Sequence, residues 1–412
     1  MINKKILVIC QHYWPENFRI TDLCEGFAEK GYVIDVLCGI PNYPLGTFFK
    51  GYSYFKKRKE IHNKIKINRA LEIPRKGNSN LMIFLNYISF PITSLFHIPR
   101  LLIQKYDKIF IYQLSPILMG IVGIILGKIK KIEIIIYVLD LWPENLYSVL
   151  KIKNKHIKKI AFNVSTWFYK KADKLITISP EMRILLTKRT NKPQNKIITV
   201  YQYCEKIYET PQNDKKMESK FSNYFNIVFT GNLSPAQSLG TIIKTAILLK
   251  KNNYENKIRF IIVGNGMSMN YFINEIEKNN LKKMFILEGI KPIEDIPKYT
   301  SIADALLATL AKSDLLELTI PAKITSYIAA NKPILASISG ASKKLIEKIN
   351  CGLISKPEDS LSLYKNILNL YQMNPNERKI FCKNARQYHF KYLERNKSID
   401  KIIKFIFSKP LC

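Results

Sequence analysis

Short apolar runs alternate with longer amphipathic stretches through the first half of the chain. The apolar run 6–10 is followed by apolar residues at helical spacing over 20–27 and then by a second run, 32–38. This alternation predicts βαβ units, because a strand covered on both faces is apolar throughout, whereas a surface helix is apolar on one side. Further strands of this half are predicted at 108–113, 133–139, 174–179 and 197–201.

The alternation stops after residue 204 and restarts near residue 223. The stretch 205–222 is polar, contains Pro211 and lacks periodicity, as a linker does. We therefore expect an α/β fold with two doubly wound, Rossmann-like domains, 1–204 and 223–385, that face a central cleft. The strands predicted for the second domain are 226–231, 258–264, 284–289, 305–310 and 333–337.

The end of the chain predicts one long helix. Apolar residues recur at helical spacing over 376–407. We expect its last part, 386–412, to pack back on the N-terminal domain.

Composition fits this two-domain interpretation. A length of 412 residues allows roughly two to three domains of about 150 residues, and 47% hydrophobic residues can fill their cores. The cysteines are odd in number and lack a C-x-x-C pair, which favours a reducing cytoplasm over a disulfide framework or a zinc site. The seven are Cys10, Cys24, Cys38, Cys204, Cys351, Cys382 and Cys412.

A net charge of +33 predicts attraction to anions such as nucleic acid, anionic lipid or polyphosphate. Compositional drift in a chain rich in Lys, Ile and Asn accounts for the charge equally well. No apolar stretch reaches the roughly 20 residues that span a bilayer, although 81–103 and 117–126 come closest. Flanking lysines leave two interpretations open: a helix at a membrane surface, or a core helix with solvated ends.

Three glycine-containing turns follow predicted strands in the second domain. They lie at 229–240, 263–266 and 287–290. Backbone N–H groups at a strand end and a helix start bind phosphate, although such a glycine also serves in an ordinary tight turn. Lys323 follows Pro321 in the first turn of a predicted helix, where a cation opposes the helix dipole unless an anion binds there. Lys323 is therefore a candidate diphosphate ligand, with a solvent-facing lysine as the alternative.

Several other site types are disfavoured. Met269 occupies the third glycine position after Gly264 and Gly266, so the nicotinamide fingerprint G-x-G-x-x-G is incomplete. A P-loop is missing from the sequence, D-x-D does not occur, and the five histidines are far apart. We therefore predict a protein that uses neither a metal ion nor a cofactor.

Five sequence segments together resemble glycosyltransferase family 4, in particular the branch similar to bacterial O-antigen and capsule N-acetyl-L-fucosamine transferases. Each is weak alone, but their order along the chain makes the set specific. The segments are 11–19 (QHYWPENFR), 39–44 (GIPNYP), 139–145 (LDLWPEN), 230–237 (TGNLSPAQ), and 321–323 with 327–330 (PAK and YIAA).

This resemblance implies a GT-B fold and a retaining glycosyltransferase at the inner face of the bacterial cytoplasmic membrane. It implies a nucleotide-sugar donor, UDP-linked and 6-deoxy or N-acetylated, held by the C-terminal domain. The implied acceptor is an undecaprenyl-diphosphate-linked glycan in surface polysaccharide biosynthesis, held by the N-terminal domain. Such an acceptor and an anionic membrane surface would account for the basic segments 56–59 and 151–159.

The sequence departs from the family pattern at two places. Asn232 and Gln237 stand where many members have an Arg and a Lys for the donor diphosphate. Leu318 and Ser326 stand where members commonly have two glutamates, with Glu317 beside the first. Lys323 is the cation that remains to meet the diphosphate.

The predicted site residues fall into three groups. As catalytic residues we predict Asp140, Glu144 and Glu16. For the acceptor side we predict Asn17, Arg19, Asn42 and Tyr43. For the donor nucleotide sugar we predict Gly231, Asn232, Gln237, Gly264, Asn265, Gly266, Glu288, Gly289, Lys323 and Ser326.

Three alternative functions remain open. A polyanion or nucleic-acid-binding protein would explain the net charge, although no motif of a nucleic-acid reader occurs, and we expect no nucleic-acid partner. A nucleotide-sugar epimerase of similar two-domain shape would convert the donor without an acceptor. A catalytically inactive scaffold would explain the departures at Asn232, Gln237 and Ser326.

Overall fold

A computed structural model describes residues 4–78, 80–150, 154–204, 206–209, 212 and 214–408. The chain forms two compact units, Met1–Val200 with Ile399–Cys412 and Tyr201–Ser398. Residues 201–204, which we placed in the first domain, are thus part of unit 2. The predicted linker 205–222 contains a short helix, Lys215–Phe221, and its residues 205, 210, 211 and 213 lie outside the described residues.

Unit 1 is built on an eight-stranded sheet within the described residues. Its strands are β1 (Lys5–Ile9), β2 (Val33–Cys38), β3 (Lys59–His62), β4 (Ile65–Arg69), β5 (Lys108–Gln113), β6 (Ile134–Val138), β7 (Lys174–Thr177) and β8 (Ile197–Thr199). They lie in the order β3-β4-β2-β1-β5-β6-β7-β8, and all neighbours are parallel except β3 with β4. Strand β6 is buried along its whole length, which explains its continuous apolar sequence.

Helices connect most of these strands. They are α1 (Ile20–Glu29), α2 (Asn80–Leu95), α3 (Ile98–Ile103), α4 (Ile121–Lys130), α5 (Glu144–Leu150), α6 (Lys155–Lys171) and α7 (Pro180–Thr190). No helix in the described part of the chain is long and apolar enough to cross a membrane.

The hairpin of β3 and β4 was not predicted from the sequence. Its turn residues, Asn63 and Lys64, both have positive φ, 47° and 67°, as a two-residue hairpin turn requires. The only sequence signals are the alternation of Ile61, Ile65 and Ile67 and an asparagine at the turn. The neighbouring stretch 56–59 was predicted as a basic segment for a lipid-linked acceptor and an anionic membrane surface.

Unit 2 contains a parallel sheet of six strands among its described residues. The strands are β9 (Phe225–Thr230), β10 (Ile258–Val263), β11 (Phe285–Gly289), β12 (Ala305–Thr309), β13 (Ile334–Ser337) and β14 (Gly352–Ser355). They lie in the order β11-β10-β9-β12-β13-β14. Successive strands are added on one side of β9 up to β11 and on its other side from β12 onward, so the strand order reverses between β9 and β12. The α/β class predicted from the apolar pattern is confirmed in both units, while β14 was not predicted.

The remaining helices cover the sheet of unit 2 and end the chain. They are α8 (Lys215–Phe221), α9 (Leu239–Lys251), α10 (Met269–Lys278), α11 (Ile296–Ser301), α12 (Asp314–Glu317), α13 (Ala322–Ala329), α14 (Gly340–Ile349), α15 (Ser360–Gln372), α16 (Pro375–Tyr388) and α17 (Arg395–Phe407). The prediction of a single helix over 376–407 is therefore wrong, because two helices occupy this segment. A π-helical turn, His389–Leu393, follows α16, and Glu394 is extended with ψ 139°, so the backbone leaves the helix there.

The predicted C-terminal segment 386–412 is divided between the units, because its residues from 399 onward are part of unit 1. A buried lysine of β7 holds the end of α17. Lys174 is 1% exposed, and its Nζ donates to the carbonyl oxygens of Phe405, Ile406 and Ser408 at 3.0, 3.1 and 2.8 Å. Burial lowers the pKa of Lys174, although Glu133 at 3.2 Å opposes this effect. The lysine thus satisfies carbonyls that a helix end leaves without partners.

We expect Lys174→Met to loosen α17, because it removes a charged donor from three carbonyls. The local opening free energy of α17, measured by hydrogen exchange, should fall by about 2–4 kcal/mol. Lys401→Met is the control, since Lys401 donates a single exposed bond to the carbonyl of Thr199 at 2.8 Å. Equal effects of the two substitutions would contradict the capping role.

Candidate active site

Three predicted donor-site turns meet at the carboxyl ends of β9, β10 and β11. The N–H of Gly231 donates to the carbonyl of Val263 at 2.8 Å, and the N–H of Leu233 donates to that of Asn265 at 3.0 Å. The N–H of Gly264 donates to the carbonyl of Gly289 at 2.8 Å. The structure therefore brings the three glycine turns together beside the point where strand order reverses, which is the usual ligand position in such sheets.

Two of these turns approach each other too closely for side chains. A Cβ on Gly264, where φ is +139°, would lie 2.0 Å from the carbonyl oxygen of Gly231. A Cβ on Gly266 would lie 2.3 Å from the side-chain oxygen of Asn232 and from the carbonyl oxygen of Leu233. Glycine is therefore required by packing at these positions, and backbone forms this edge of the sheet.

Lys323 lies beside the same turns, in the first turn of α13. Its Nζ is 3.4 Å from the ring centroid of Phe229 and donates to Oε1 of Gln237 at 2.6 Å. Burial holds the pKa of Lys323 well below its usual value. Among the described residues, no carboxylate forms an ion pair with it. A partly buried ammonium that faces an aromatic ring and an amide oxygen is a receptor for an anion.

Gln237 is fixed by the end of β12. Its carbonyl accepts a hydrogen bond from Oγ1 of Thr309 at 2.5 Å, and the neighbouring carbonyl of Ala236 accepts from the N–H of Ala311 at 2.9 Å. The departure from the family pattern at Gln237 thus places an acceptor for Lys323 where members have a cation. No sequence signal indicated this pair, because its residues lie 86 positions apart.

The other two predicted donor residues are engaged within unit 2. Oε2 of Glu288 accepts from the hydroxyl of Tyr299 at 2.9 Å and pairs with Lys291 at 3.1 Å. Burial alone would raise the pKa of Glu288, but these partners outweigh it and the pKa is lowered. The hydroxyl of Ser326 donates to the carbonyl of Ala322, one helical turn back, at 3.1 Å.

In unit 1, Asp140 lies in a hydrogen-bond network after β6. Its Oδ2 accepts from the hydroxyl of Ser115 at 2.8 Å. That hydroxyl accepts in turn from Trp142 Nε1 and Asn145 Nδ2, both at 2.9 Å. Burial raises the pKa of Asp140, although the hydrogen bond from Ser115 acts against the shift. The carboxyl is therefore held in a fixed orientation.

Glu144, the first residue of α5, forms an ion pair with Arg189 of α7. The guanidinium donates to both Glu144 oxygens and, at 2.7 Å, to the carbonyl of Trp142. This predicted catalytic carboxylate is thus already paired, and it positions the loop that follows Asp140.

Glu16 joins two predicted acceptor residues. Its Oε1 accepts from the backbone N–H groups of Asn42 at 2.8 Å and Tyr43 at 2.6 Å. Its Oε2 lies 3.1 Å from Nδ1 of His12. The buried carboxylate thereby fixes the loop after β2. Of the other predicted acceptor residues, Asn17 is exposed and Arg19 directly precedes α1.

Glu72 was missed by the sequence analysis because it follows β4, which was not predicted. Its Oε1 accepts from Gln11 Nε2 and Asn86 Nδ2, both at 2.6 Å. Its Oε2 is buried without a hydrogen-bond partner among the described residues. Burial raises the pKa of Glu72 to about 7, with a smaller lowering effect from His12 and a raising one from Glu16. Glu72 therefore titrates near neutral pH and holds a proton below it.

Arg75 connects this group to Asp140. Its Nε donates to Oδ1 of Asn86 at 2.8 Å, and its guanidinium lies 5.0 Å from the ring centroid of Tyr87 and 5.7 Å from that of Tyr43. Its charge also lowers the pKa of Asp140. Unit 1 thus carries one polar cluster along the carboxyl edge of its sheet, at the ends of β1, β2, β4, β5 and β6.

We expect Glu72→Gln to change how stability depends on pH. In the folded protein the pKa of Glu72 is about 7, above the unfolded value of about 4.3. The folded state keeps a proton that the unfolded state has released, so Glu72 makes stability fall as pH rises between these values. In Glu72→Gln, the difference in unfolding free energy between pH 5 and pH 8 should shrink by on the order of 2 kcal/mol.

Urea unfolding at the two pH values measures this difference. Glu347→Gln, which removes an exposed carboxylate of α14, is the control and should leave the pH dependence unchanged. A variant of Glu72 with the pH dependence of the natural protein would contradict a protonated Glu72.

Comparison with known proteins shows which sequences and structures this chain is similar to. Residues 211–388 match the family described as glycosyl transferases group 1. The chain is 25% identical over 270 residues to the probable glycosyltransferase WbjE of Pseudomonas aeruginosa. This alignment covers 62% of this chain and 65% of WbjE. It is 22% identical over 314 residues to the chitobiosyldiphosphodolichol beta-mannosyltransferase of Debaryomyces hansenii, covering 70% and 65% of the two chains. The chain thus spans just under two thirds of the length of either relative.

A solved structure shows the fold. HepE of Anabaena in complex with UDP and glucose matches with a TM-score of 0.69 at 14% identity, covering 99% of this chain and 100% of HepE. The predicted GT-B fold is confirmed by such neighbours. Residues 211–388 are therefore similar to group 1 glycosyl transferases, in a chain whose fold is GT-B.

Proposed function

We propose that this protein is a retaining glycosyltransferase of the family 4 type, in bacterial surface polysaccharide biosynthesis. It transfers a 6-deoxy or N-acetylated sugar from a UDP-linked donor to an undecaprenyl-diphosphate-linked glycan. The proposal includes no metal ion and no cofactor. It is supported by the UDP bound to HepE and by the relative from Debaryomyces hansenii, whose name specifies a diphosphate-linked lipid acceptor.

The observation on which the donor site rests is the cation of Lys323 beside three backbone turns. A donor diphosphate here would meet the ammonium of Lys323, oriented by Gln237, and the turns around Gly231 and Gly264. When the sugar leaves, negative charge builds on the departing UDP. Fixed positive groups around that position stabilise the transition state more than the ground state.

The polar cluster of unit 1 is proposed to bind the acceptor. Asp140, fixed by Ser115, would orient an acceptor hydroxyl, and Glu16 keeps the backbone of Asn42 and Tyr43 in place. Glu144 remains a predicted catalytic residue, but its ion pair with Arg189 favours a positioning role.

We expect Lys323→Met to bind UDP at least about tenfold more weakly, because it removes one charge-assisted contact. Calorimetric titration with UDP, GDP and CDP measures this loss. Lys365→Met, which removes an exposed lysine of α15, is the matched control.

Other outcomes would favour the alternative functions. Salt-sensitive RNA binding without nucleotide binding indicates a polyanion-binding protein. Conversion of the donor sugar without an acceptor indicates an epimerase. UDP binding that survives in Lys323→Met would falsify the donor-site assignment.

We also propose that the protein is peripheral on the inner face of the bacterial cytoplasmic membrane, and helix α6 supports this. Ile157, Ile160, Val164 and Trp167 are exposed and lie at helical spacing on one side. Lysines at both ends of the helix are exposed, at positions 155, 159, 170 and 171. An apolar stripe with flanking lysines fits the interface of an anionic bilayer. The predicted segment 81–103 adds exposed Phe96, while 151–153 of the predicted basic run lie outside the described residues.

We expect Ile160→Glu to weaken binding to phosphatidylglycerol-containing vesicles about tenfold, because an inserted isoleucine contributes roughly 1.5–3 kcal/mol. Ile380→Glu makes the same change on an exposed position of α16 in unit 2 and is the control. Vesicle sedimentation compares the two. Equal binding by both variants would exclude α6 as the membrane contact.

A further inference from the structure

A cavity of about 470 Å³ lies in unit 2 away from the donor turns. Its lining includes Thr300 and Ser301, just before β12, and Asn331 and Lys332, just before β13. In a parallel sheet the amino and carboxyl ends of the strands are opposite edges. The cavity is therefore at the edge opposite to Lys323 and Gly231. Its volume is in the range of small-molecule sites.

Three cations line this cavity and no acidic residue is among its described lining residues. They are Lys332, Lys383 and Arg386. Lys332 donates to the carbonyl of Ser301 at 2.6 Å. Burial lowers the pKa of Lys332 although Asp304, Cys382 and Glu218 act against this.

The nearby carboxylate of Asp304 is already shared. It accepts from the N–H of Asn226 at 2.8 Å and lies 3.9 Å from a guanidinium nitrogen of Arg378. The positive charge of the cavity is therefore incompletely balanced, which suits an anionic ligand.

We propose that this cavity binds a small phosphorylated molecule, such as a sugar phosphate, at a site separate from the donor site. The phosphate meets Lys332, Lys383 and Arg386, and the cavity volume leaves room for the group that carries it. The inference is independent of the proposed transferase activity, because none of these residues touches the donor turns.

Calorimetric titration with glucose 1-phosphate, in the presence of UDP, tests this site. We expect one site per chain, weakened at least about tenfold in K383A/R386A, whose side chains are exposed and whose loss should not disturb folding. K379A/K391A removes the same charge from exposed positions in α16 and the turn after it, and should bind normally.

Three results would overturn the proposal: no saturable binding, equal weakening in both double variants, or loss of binding in Lys323→Met. A lipid headgroup is the other source of phosphate. If K383A/R386A weakens binding to phosphatidylglycerol vesicles but not to glucose 1-phosphate, the soluble-ligand assignment is wrong.

Discussion

The close approach of backbone to backbone at the ends of β9, β10 and β11 is the constraint on which the candidate site depends. The N–H of Gly231 and the N–H of Gly264 each close a hydrogen bond to the next turn, at 2.8 Å. Because no side chain fits between these turns, their position is set by the sheet itself and does not depend on rotamers. Lys323 and Gln237 are then held against a rigid surface, which suits recognition of a charged group in one orientation.

The two units use the same edge of a parallel sheet in different electrostatic ways. In unit 1, three acidic side chains are compensated locally: Glu144 by Arg189, Glu16 by hydrogen bonds from two backbone N–H groups, and Glu72 by a proton below neutral pH. In unit 2, Lys323 is a cation with only an amide and an aromatic ring as described partners. A compensated surface suits neutral hydroxyl groups, whereas an uncompensated cation suits a diphosphate.

The apolar pattern predicted most strands of both sheets. Continuous apolar runs identified β1, β5, β6, β9, β10 and β12, because strands covered on both faces have no polar alternation to confuse with a loop. The short hairpin of β3 and β4 was missed since its polar faces resemble a charge run, and Glu72 and Arg75 were lost with it. Helix position singled out Lys323, and Gln237 was predicted as a donor-site residue. The hydrogen bond between them was not predicted, because periodicity carries no information on contacts between distant segments.

The capping of α17 by Lys174 has a consequence for how the chain is made. Unit 1 is discontinuous, since it needs residues from 399 onward, and these are synthesised after all of unit 2. Until they emerge from the ribosome, the amine of Lys174 lacks the three carbonyls that it caps in the finished fold. The second half of the chain is a continuous unit and can fold as soon as it is complete. The first half, although translated earlier, is completed last.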